Sequence, residues 1–315
     1  MTTSSLHVLR AQIHHGWSRD HVPVLSVPSG SEIAFETTDA SGGQIRPGST
    51  HESVRDLDFE RVNPVSGPVY VEGARPGDTL QVDILAVEPG AYGWTGIIPG
   101  FGLLADRFPD PWLYVWELEG GHAQFTEDVR VPLQPFCGVL GVAPAESGLH
   151  SVVPPRRVGG NLDTRQLGPG ATLYLPVEVE GALFGVGDTH AAQGDGEVCG
   201  TAIEATMSVT LRLSVRPDLQ VDTPEFDLTR PLERPGAAAA GYHATTGVGP
   251  DLMEAARQSV EAMITHLEAR RRLSREQAYA LCSVAADLRL SEVVDAPNWV
   301  VSAFLPNDLF RAGES

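Results

Sequence analysis

Acidic, imidazole and carboxamide side chains are concentrated in one glycine-rich stretch, residues 181–204. Ten consecutive positions of this stretch contain Asp188, His190, Gln193, Asp195 and Glu197. The surrounding glycines leave the backbone free to turn tightly and to direct several side chains at one point. Asp and Gly also form ordinary solvated turns, but His and Gln contribute nothing to a turn. We therefore take this stretch as the leading candidate for a functional site.

The histidine and carboxylates of this region could bind a divalent cation. Asp188 and His190 are two residues apart, so an extended backbone would point both side chains to the same side. Asp163 and Glu204 add further carboxylates. A hydrolytic zinc ion needs such ligands and an open position, because it polarises a carbonyl and lowers the pKa of bound water to about 7. A structural hydrogen bond between His190 and Asp188 is the alternative.

Cys199 suggests a second chemistry, nucleophilic attack with His190 as its base. An apolar run follows Cys199 closely, which favours a small buried side chain instead. Cys137 has the same character. The sequence contains no GxSxG elbow, no P-loop, no GxGxxG and no HExxH motif, so serine-triad, nucleotide and zincin chemistry lose support.

Two aromatic residues could form the apolar wall of a small pocket near this chemistry. Trp94 and Phe101 belong to a segment rich in glycine and proline, residues 94–102. Loops of that composition often contribute to function. Aromatic side chains are also common in hydrophobic cores, and that interpretation stays open.

The elements that must position these side chains are mostly short β-strands. Runs of alternating or apolar residues, separated by Gly, Pro, Ser and Asp turns, recur from residue 6 to residue 84. Further strands are predicted at 112–118, 138–142 and 171–179, and on both sides of the polar stretch at 182–186 and 201–215. The residues between 87 and 170 otherwise read as loops.

The C-terminal quarter differs because it has helical periodicity. Residues 251–272 place apolar side chains on one face, and Ser274 with Gln277 forms the capping box of a second helix over 274–288. Residues 290–305 are predicted to return to the sheet, and 231–249 to form a flexible connection or flap. The predicted fold class is mainly β (α+β): a sandwich or barrel-like core over 1–215, and a smaller C-terminal part over 216–315 packed on it.

Charge and composition restrict the partners. The chain has 22 Lys and Arg against 41 Asp and Glu, a formal charge of −19. Scattered acid argues against nucleic acid or an anionic membrane surface, and suits cations or small neutral substrates. No apolar run approaches a membrane span, and no secretory signal is evident. Three widely spaced cysteines favour a reducing cytoplasm over a disulfide framework.

Several separated segments resemble those of the acetamidase/formamidase family. They are IAFET at 33–37, NPVSGPVYVEG at 63–73, PGFG at 99–102, GVLGVAP at 138–144, PP at 154–155 with GGNLD at 159–163, and GDTHAAQGDGE at 187–197. Together they run in order through most of the chain. One departure is Leu162, where many relatives have Met, and this exchange roughly keeps the side-chain volume.

The resemblance implies hydrolysis of short aliphatic amides to a carboxylic acid and ammonia. It further implies a β-rich fold with a smaller α/β part, a homo-oligomer of two or more subunits, and a site built around Asp163, Asp188, His190 and Glu197. The hypothesis is that Asp163, Asp188 and His190 hold a divalent ion, either zinc or calcium, and that Glu197 is the base. Asp195 or Glu204 could replace Glu197, since spacing cannot rank three carboxylates.

The remaining roles in this hypothesis concern the substrate. Asn161 would stabilise the oxyanion, and a small neutral amide would contact Trp94, Phe101 and Gln193. Two alternatives are kept. One is an amidase with Cys199 as nucleophile, and the other is a non-catalytic protein that binds a small amide or a metal on the same scaffold.

Overall fold

A computed structural model describes residues 6–229 and 240–310 of the 315-residue chain. Most of these residues lie in or between β-strands. The first ten strands are β1 Leu6–Val8, β2 Ile13–His14, β3 Leu25–Pro28, β4 Ser31–Glu36, β5 Val65–Glu72, β6 Thr79–Pro89, β7 Tyr92–Ile97, β8 Trp112–Glu119, β9 His122–Gln124 and β10 Arg130–Pro132. The others are β11 Phe136–Gly141, β12 Gly159–Asn161, β13 Ala171–Pro176, β14 Phe184–His190, β15 Met207–Arg216, β16 Glu225–Leu228, β17 Tyr242–Gly249, β18 Asp287–Glu292 and β19 Trp299–Pro306.

Helices are few in the described residues. They are α1 His51–Arg55, α2 Leu252–Arg271 and α3 Arg275–Ala285, with single 3₁₀ turns at Phe59–Arg61 and Asn307–Leu309. None of the helices within these ranges is long and apolar enough to cross a membrane.

Two six-stranded sheets form the centre of the molecule. One has the strand order β1-β4-β15-β6-β13-β16, and the other has the order β12-β11-β14-β5-β2 with β3 paired to β5. Their buried side chains belong to one hydrophobic core, in which the rings of Phe35 and Phe184 meet edge to face at 6.1 Å. In the first sheet, buried and more exposed residues alternate along β4 and β15, because alternate side chains point to opposite faces; in the second sheet, β11 and β14 are buried at every position.

The predicted fold class is confirmed in its main features. The chain is mainly β, and the two long helices belong to the C-terminal part. The sheets traced through the described residues do not close into a barrel. Strand β16, beyond the expected boundary at residue 215, pairs with β13 of the first sheet. The division into a core and a C-terminal part stays a prediction.

The central region contains more β-structure than its composition predicts. Residues 87–170 were expected to be loop-rich, but β7, β8, β9 and β10 form a four-stranded sheet there. Trp94 consequently lies within strand β7 rather than in a loop. The aromatic side chains of β8 explain the difference, since Trp116 stacks on Phe125 and Tyr114 packs edge to face on both. These pairs stabilise a sheet in spite of the flanking glycines.

The C-terminal helices are confirmed, but the strands around them are not arranged as expected. Helix α3 begins with the predicted capping box of Ser274 and Gln277. Residues 287–306 form β18 and β19, which join β17 in a separate three-stranded sheet instead of returning to the core sheets. The flexible connection expected over 231–249 is wrong for 242–249, which are strand β17 paired along β19. Residues 230–239 lie outside the described part of the chain.

Candidate active site

Strand β14 carries the first two polar groups of the site. The strand begins at Phe184 and runs through His190, so Asp188 and His190 lie at its end and not in the loop that their glycine neighbours suggest. Residues 201–206 are irregular, and the next strand begins only at Met207. An isolated bridge pairs His190 with Glu204, whose backbone also exchanges two hydrogen bonds with Trp94 of β7. Glu204 is thereby held opposite His190.

Four carboxylates converge on the ring of His190. We call these residues the acidic cluster: Asp163, Asp188, His190, Glu197 and Glu204. Ligand atoms of Asp163, Asp188 and His190 all lie within 4.8 Å of one another, and so do those of His190, Glu197 and Glu204. Asp163 enters from the loop after β12, and Glu197 from the turn after β14. Sequence reasoning therefore selected residues that the fold brings together.

The backbone around the cluster adopts conformations that most residues avoid. Asp163, Asp188 and Glu197 have φ angles of +45°, +48° and +43°. Left-handed backbone is uncommon for residues other than glycine and is often found at functional sites. Space for the cluster comes from Gly138, where a Cβ atom would lie 2.6 Å from Asp163 Oδ1 and 2.8 Å from His190 Cε1. A larger residue at position 138 would push these two side chains apart.

Gln193 fixes the orientation and tautomer of the buried His190 ring. Its Nε2 donates to the backbone carbonyl of Asp163 at 2.6 Å, so its Oε1 is the atom 2.9 Å from His190 Nδ1. Since Oε1 can only accept, Nδ1 carries the proton. The other nitrogen, Nε2, then faces Asp188 Oδ1 at 3.2 Å and Glu204 Oε2 at 3.1 Å. A neutral ring would direct a lone pair at two carboxylate oxygens, so either a proton on Nε2 or a bound cation must separate them.

The donor set of the cluster fits a divalent cation. His190 Nε2, Asp188 Oδ1, Glu204 Oε2 and Asp163 Oδ1 are buried, and apart from the contacts of His190 with Asp188 and Glu204 none has a hydrogen-bond partner among the described residues. Buried polar atoms without partners are rare, and here they converge. Imidazole and carboxylate are the ligands of hydrolytic zinc, and the hydrogen bond from Nδ1 to Gln193 is the usual second contact of a metal-binding histidine.

Burial and mutual repulsion shift the proton affinities of the cluster. Burial raises the pKa of Asp163 well above its usual range, and the neighbouring Asp188 adds to the effect. Burial likewise raises the pKa of Glu197, with Asp163 contributing, and raises the pKa of Glu204 to about 7. For His190 burial acts to lower the pKa, but Glu204 and Asp188 outweigh it and raise the pKa well above its usual range. Perturbed groups of this kind are typical of catalytic sites.

Asp163, Asp188, Glu197 and Glu204 line a cavity of about 370 Å³, and His190 is buried outside its lining; we call the acidic cluster the floor of this cavity. Its walls include Trp94, and its described lining contains no Lys or Arg. Three apolar side chains at the mouth are largely in solvent, and we call them the rim: Phe59, Phe101 and Val153, exposed by 60%, 48% and 41%. Both aromatic residues selected from the sequence therefore line the cavity. Trp94, in β7, belongs to its wall, and Phe101, which follows β7, belongs to the rim.

Two asparagines orient the carboxylates of the cluster. Asn161 Nδ2 donates to Asp163 Oδ2 at 2.8 Å, and Asn63 Nδ2 donates to Asp188 Oδ2 at 3.4 Å. Sequence analysis selected Asn161 but missed Asn63, along with Ser41 and Thr201 of the cavity lining. The segment NPVSGPVYVEG, which begins at Asn63, was a possible signal. Only the fold places that asparagine beside Asp188.

Asp195 lies outside the described cavity lining, in an ion-pair network. The buried guanidinium of Arg165 donates to Asp195 Oδ1 at 2.8 Å and to Asp287 Oδ2 at 3.1 Å. Asp287 also accepts a hydrogen bond from the backbone N–H of Asp195 at 3.1 Å. Since Asp287 begins strand β18, this network ties the C-terminal part to the loop that follows His190. Gln193, which was expected to contact the substrate, also lies outside the cavity lining; its side chain is hydrogen-bonded to His190 Nδ1 instead.

Cys199 is packed in the interior and does not line the cavity. Its side chain has no exposed surface, and its Sγ contacts the carbonyl of Thr201 at 3.6 Å. Burial raises its pKa, which disfavours the thiolate that a nucleophile requires. Cys137 is also buried, and burial raises its pKa to about 12.

Helix α3 supports the segment that contains Glu197 and Glu204, residues 197–204, through hydrogen bonds. The Ser283 hydroxyl donates to the Thr201 carbonyl at 2.7 Å and accepts from the Cys199 N–H at 3.1 Å. The Tyr279 hydroxyl donates to the carbonyl of Val198. The helix thus satisfies backbone groups of the irregular segment that contains Glu197 and Glu204.

Comparison with known proteins gives a consistent result over the length of the chain. A sequence model of the Acetamidase/Formamidase family matches residues 2–152 and 145–312. A formamidase from Methylophilus methylotrophus is 27% identical over 374 aligned positions, which cover 95% of this chain and 90% of the relative. An acetamidase from Mycolicibacterium smegmatis is 31% identical over 255 positions, 61% of this chain and 63% of the relative.

Solved structures extend the similarity to the fold. A gamma lactamase from Delftia acidovorans has a TM-score of 0.88 at 27% identity, over 96% of this chain and 90% of its own. An acetamidase from Bacillus halodurans has a TM-score of 0.70 at 35% identity, over 96% and 97% of the two chains.

Proposed function

Because the chain belongs to the acetamidase/formamidase family and is an amidase, we propose that it hydrolyses short aliphatic amides to carboxylic acid and ammonia at the acidic cluster. The observation that carries this proposal is the convergence of buried carboxylate oxygens and His190 Nε2, none with a hydrogen-bond partner outside the acidic cluster, beside a cavity large enough for a substrate. Such an arrangement exceeds what binding of a neutral amide requires.

Asp163, Asp188 and His190 would hold a divalent ion, with zinc as the first choice. When bound, the ion would polarise the amide carbonyl and lower the pKa of water. The chain contributes the geometry: Gln193 holds the His190 ring, while Asn161 and Asn63 hold the two aspartates. Calcium is the alternative suggested by the number of carboxylates.

Glu197 is the proposed general base. It lines the cavity, and its carboxylate lies near His190 and Glu204. Its raised pKa suits a group that takes a proton from water and delivers it to the departing nitrogen. Glu204 is the second choice, because its Oε1 already accepts from the Ala202 N–H at 2.8 Å and its Oε2 faces His190. Asp195 is less suitable, since Arg165 holds its carboxylate.

The substrate would lie between the cluster and the aromatic walls. Trp94 and Phe101 offer apolar surface for the acyl group. Asn161 is proposed to stabilise the oxyanion with the N–H of its amide group that does not bind Asp163, an effect worth about 3 kcal/mol per donor. Assembly into a homo-oligomer stays a prediction from the family.

The two alternatives receive less support from the geometry. Nucleophilic attack by Cys199 would require a buried thiol to reach the cavity, and near-normal activity of Cys199→Ser would exclude it. A non-catalytic binding protein would be stabilised by amides without releasing ammonia from any of them.

Metal removal tests the proposal directly. We expect ammonia release from acetamide to be lost after chelation and dialysis, and restored by a stoichiometric divalent ion. His190→Ala and Asp188→Asn should lose both activity and bound metal, as measured by elemental analysis. Unchanged ammonia release after verified metal removal would eliminate the ion while leaving the amidase function intact.

A further inference from the structure

We propose that the preferred substrates are primary amides with a bulky apolar acyl group of about five to eight carbons, and that the rim selects them. This inference rests on the proposed function, and it concerns the part of the substrate that does not react. It follows from the size of the cavity, from the chemistry of its walls, and from the way in which the rim is held.

The cavity is far larger than the smallest amides. Acetamide has four non-hydrogen atoms and occupies on the order of 100 Å³, at roughly 30 Å³ for a group the size of a water molecule. The cavity of about 370 Å³ would leave most of its volume to water around such a substrate. Sites of about 300–1,000 Å³ are typical of drug-sized ligands. We therefore infer that a larger acyl group fills the rest of this volume.

The walls around this volume are apolar. Leu57, Val62 and Ile98 line the cavity between the floor and the rim. The polar residues of the lining are the four carboxylates of the acidic cluster, together with Ser41, Asn63, Asn161 and Thr201. Desolvation by such walls stabilises alkyl or aromatic groups and offers little to a charged or hydroxylated acyl chain. The arrangement therefore indicates a hydrocarbon substituent.

Phe101 packs directly against Gly200, in the segment that contains Glu197 and Glu204. A Cβ atom at Gly200 would lie 2.5 Å from Phe101 Cδ1, so the ring packs on the bare backbone of Gly200, whose φ is +90°. The neighbouring Leu103 N–H donates to the carbonyl of Val198 at 2.9 Å. The ring consequently keeps its place only a few residues from Glu197 and Glu204, although it is half exposed. Its free face is available to a substrate.

Phe59 is held by a similarly ordered backbone on the opposite segment. Gln44 Oε1 accepts from the Asp58 N–H at 2.9 Å, and Gln44 Nε2 donates to the Asp58 carbonyl at 3.1 Å. Asp58 in turn caps the 3₁₀ turn through the Glu60 N–H at 3.1 Å. Exposed large hydrophobic side chains rarely cluster on a protein surface. Where they lie together around one opening, as Phe59 and Phe101 do, they indicate a binding site.

The test is a series of linear amides from acetamide to hexanamide, with ammonia release as readout. Each added methylene that is buried should raise kcat/KM about fourfold, so hexanamide should exceed acetamide by on the order of 100-fold. Phe101→Ala should lower the ratio of the hexanamide to the acetamide value by about tenfold, because part of the acyl surface is left in water. The matched control is Phe226→Ala, since Phe226 is 42% exposed on the edge strand β16, away from the cavity, and the ratio should not change.

Binding separates this inference from the proposed function. Calorimetric titration of Glu197→Gln should give tighter binding of hexanamide than of acetamide. A kcat/KM that stays flat or falls with chain length, while acetamide is still hydrolysed, would overturn the inference and leave the amidase site in place. An unchanged ratio in Phe101→Ala would overturn the role of the rim. Tighter binding of hexanamide without ammonia from any amide would overturn the proposed function alone.

Discussion

The floor and the rim of the cavity are held in different ways. On the floor, the side chains themselves are fixed: Gln193 holds His190, and Asn161 holds Asp163, all in buried surroundings. At the rim, hydrogen bonds fix the backbone, as in the Asp58 segment; Phe59 is mostly in solvent, and Phe101 packs one face on Gly200 and leaves about half of its surface exposed. The floor is thus built for one geometry, whereas an exposed rim residue such as Phe59 can change with little effect on its neighbours.

Under the proposed function, the floor determines whether an amide is hydrolysed, and the rim determines which acyl groups are preferred. A change on the floor alters proton affinity, ion binding or packing, and each of these affects every substrate. A change at the rim alters only the apolar surface offered to the acyl group. Proteins of one family can therefore share a catalytic floor and differ in substrate through a few exposed side chains.

The largest effect is expected for Glu197→Gln on the floor. The substitution keeps the shape but removes the proton acceptor, so kcat should fall by about 10²–10⁴, with little change in KM. Bound metal, measured by elemental analysis, should be retained because Glu197 is proposed as base and not as ligand. If Glu204→Gln produces this loss while Glu197→Gln keeps a rate within about tenfold of the parent, the base is Glu204.

The next effect concerns the support beneath the floor. Arg165→Met leaves the carboxylates of Asp195 and Asp287 without the guanidinium that joins them, and breaking a buried pair in this way costs about 3–5 kcal/mol. Denaturant unfolding should reveal this loss. Arg212→Met is the control, because Arg212 forms a solvent-exposed pair with Glu32, and exposed pairs contribute much less to stability than buried ones. Equal losses in the two variants would contradict the structural role of Arg165.

A smaller effect is expected for Gln193, the residue that orients the His190 ring, which is proposed to bind the metal. Gln193→Leu removes the acceptor of His190 Nδ1, so the affinity for a divalent ion should fall about 10–100-fold in a competition titration with a chelator. Gln81→Leu is the matched control, since Gln81 is half-buried on strand β6 and bonds Asp83 far from the cluster. Undiminished affinity in Gln193→Leu would mean that the ring does not depend on this bond.

The sequence predicted the floor better than the rim. Asp163, Asp188 and His190 were chosen from residue chemistry and a family resemblance, and the fold brings them within ligand distance of one another. Phe59 was not noticed, because a single phenylalanine in a polar segment has no periodicity, and its exposure depends on how the Asp58 turn packs. The rim residues come from loops that are far apart in sequence, and short sequence patterns do not predict that such loops lie side by side.

The fold was predicted where local patterns dominate and missed where pairing is long-range. The capping box at Ser274 is a local signal, and helix α3 begins there. The pairing of β17 with β19 joins residues at least 50 positions apart, and glycines within 242–249 favoured a flap. Glycine reduces strand propensity by roughly 1 kcal/mol or less, which a paired neighbour and the packed helix α2 outweigh. Residue propensities alone do not predict such tertiary contacts.

The smallest effect is expected at the rim, and two neighbouring residues provide the comparison. Phe59 is 60% exposed, and Leu57, two residues earlier, is 7% exposed in a buried cluster with Trp94. Phe59→Ser should therefore change the free energy of unfolding by no more than about 0.5 kcal/mol, whereas Leu57→Ala should lower it by about 2–5 kcal/mol. Denaturant titration measures both. A loss above about 2 kcal/mol in Phe59→Ser would mean that this ring stabilises the fold, and the separation of a rigid floor from a freely variable rim would no longer hold.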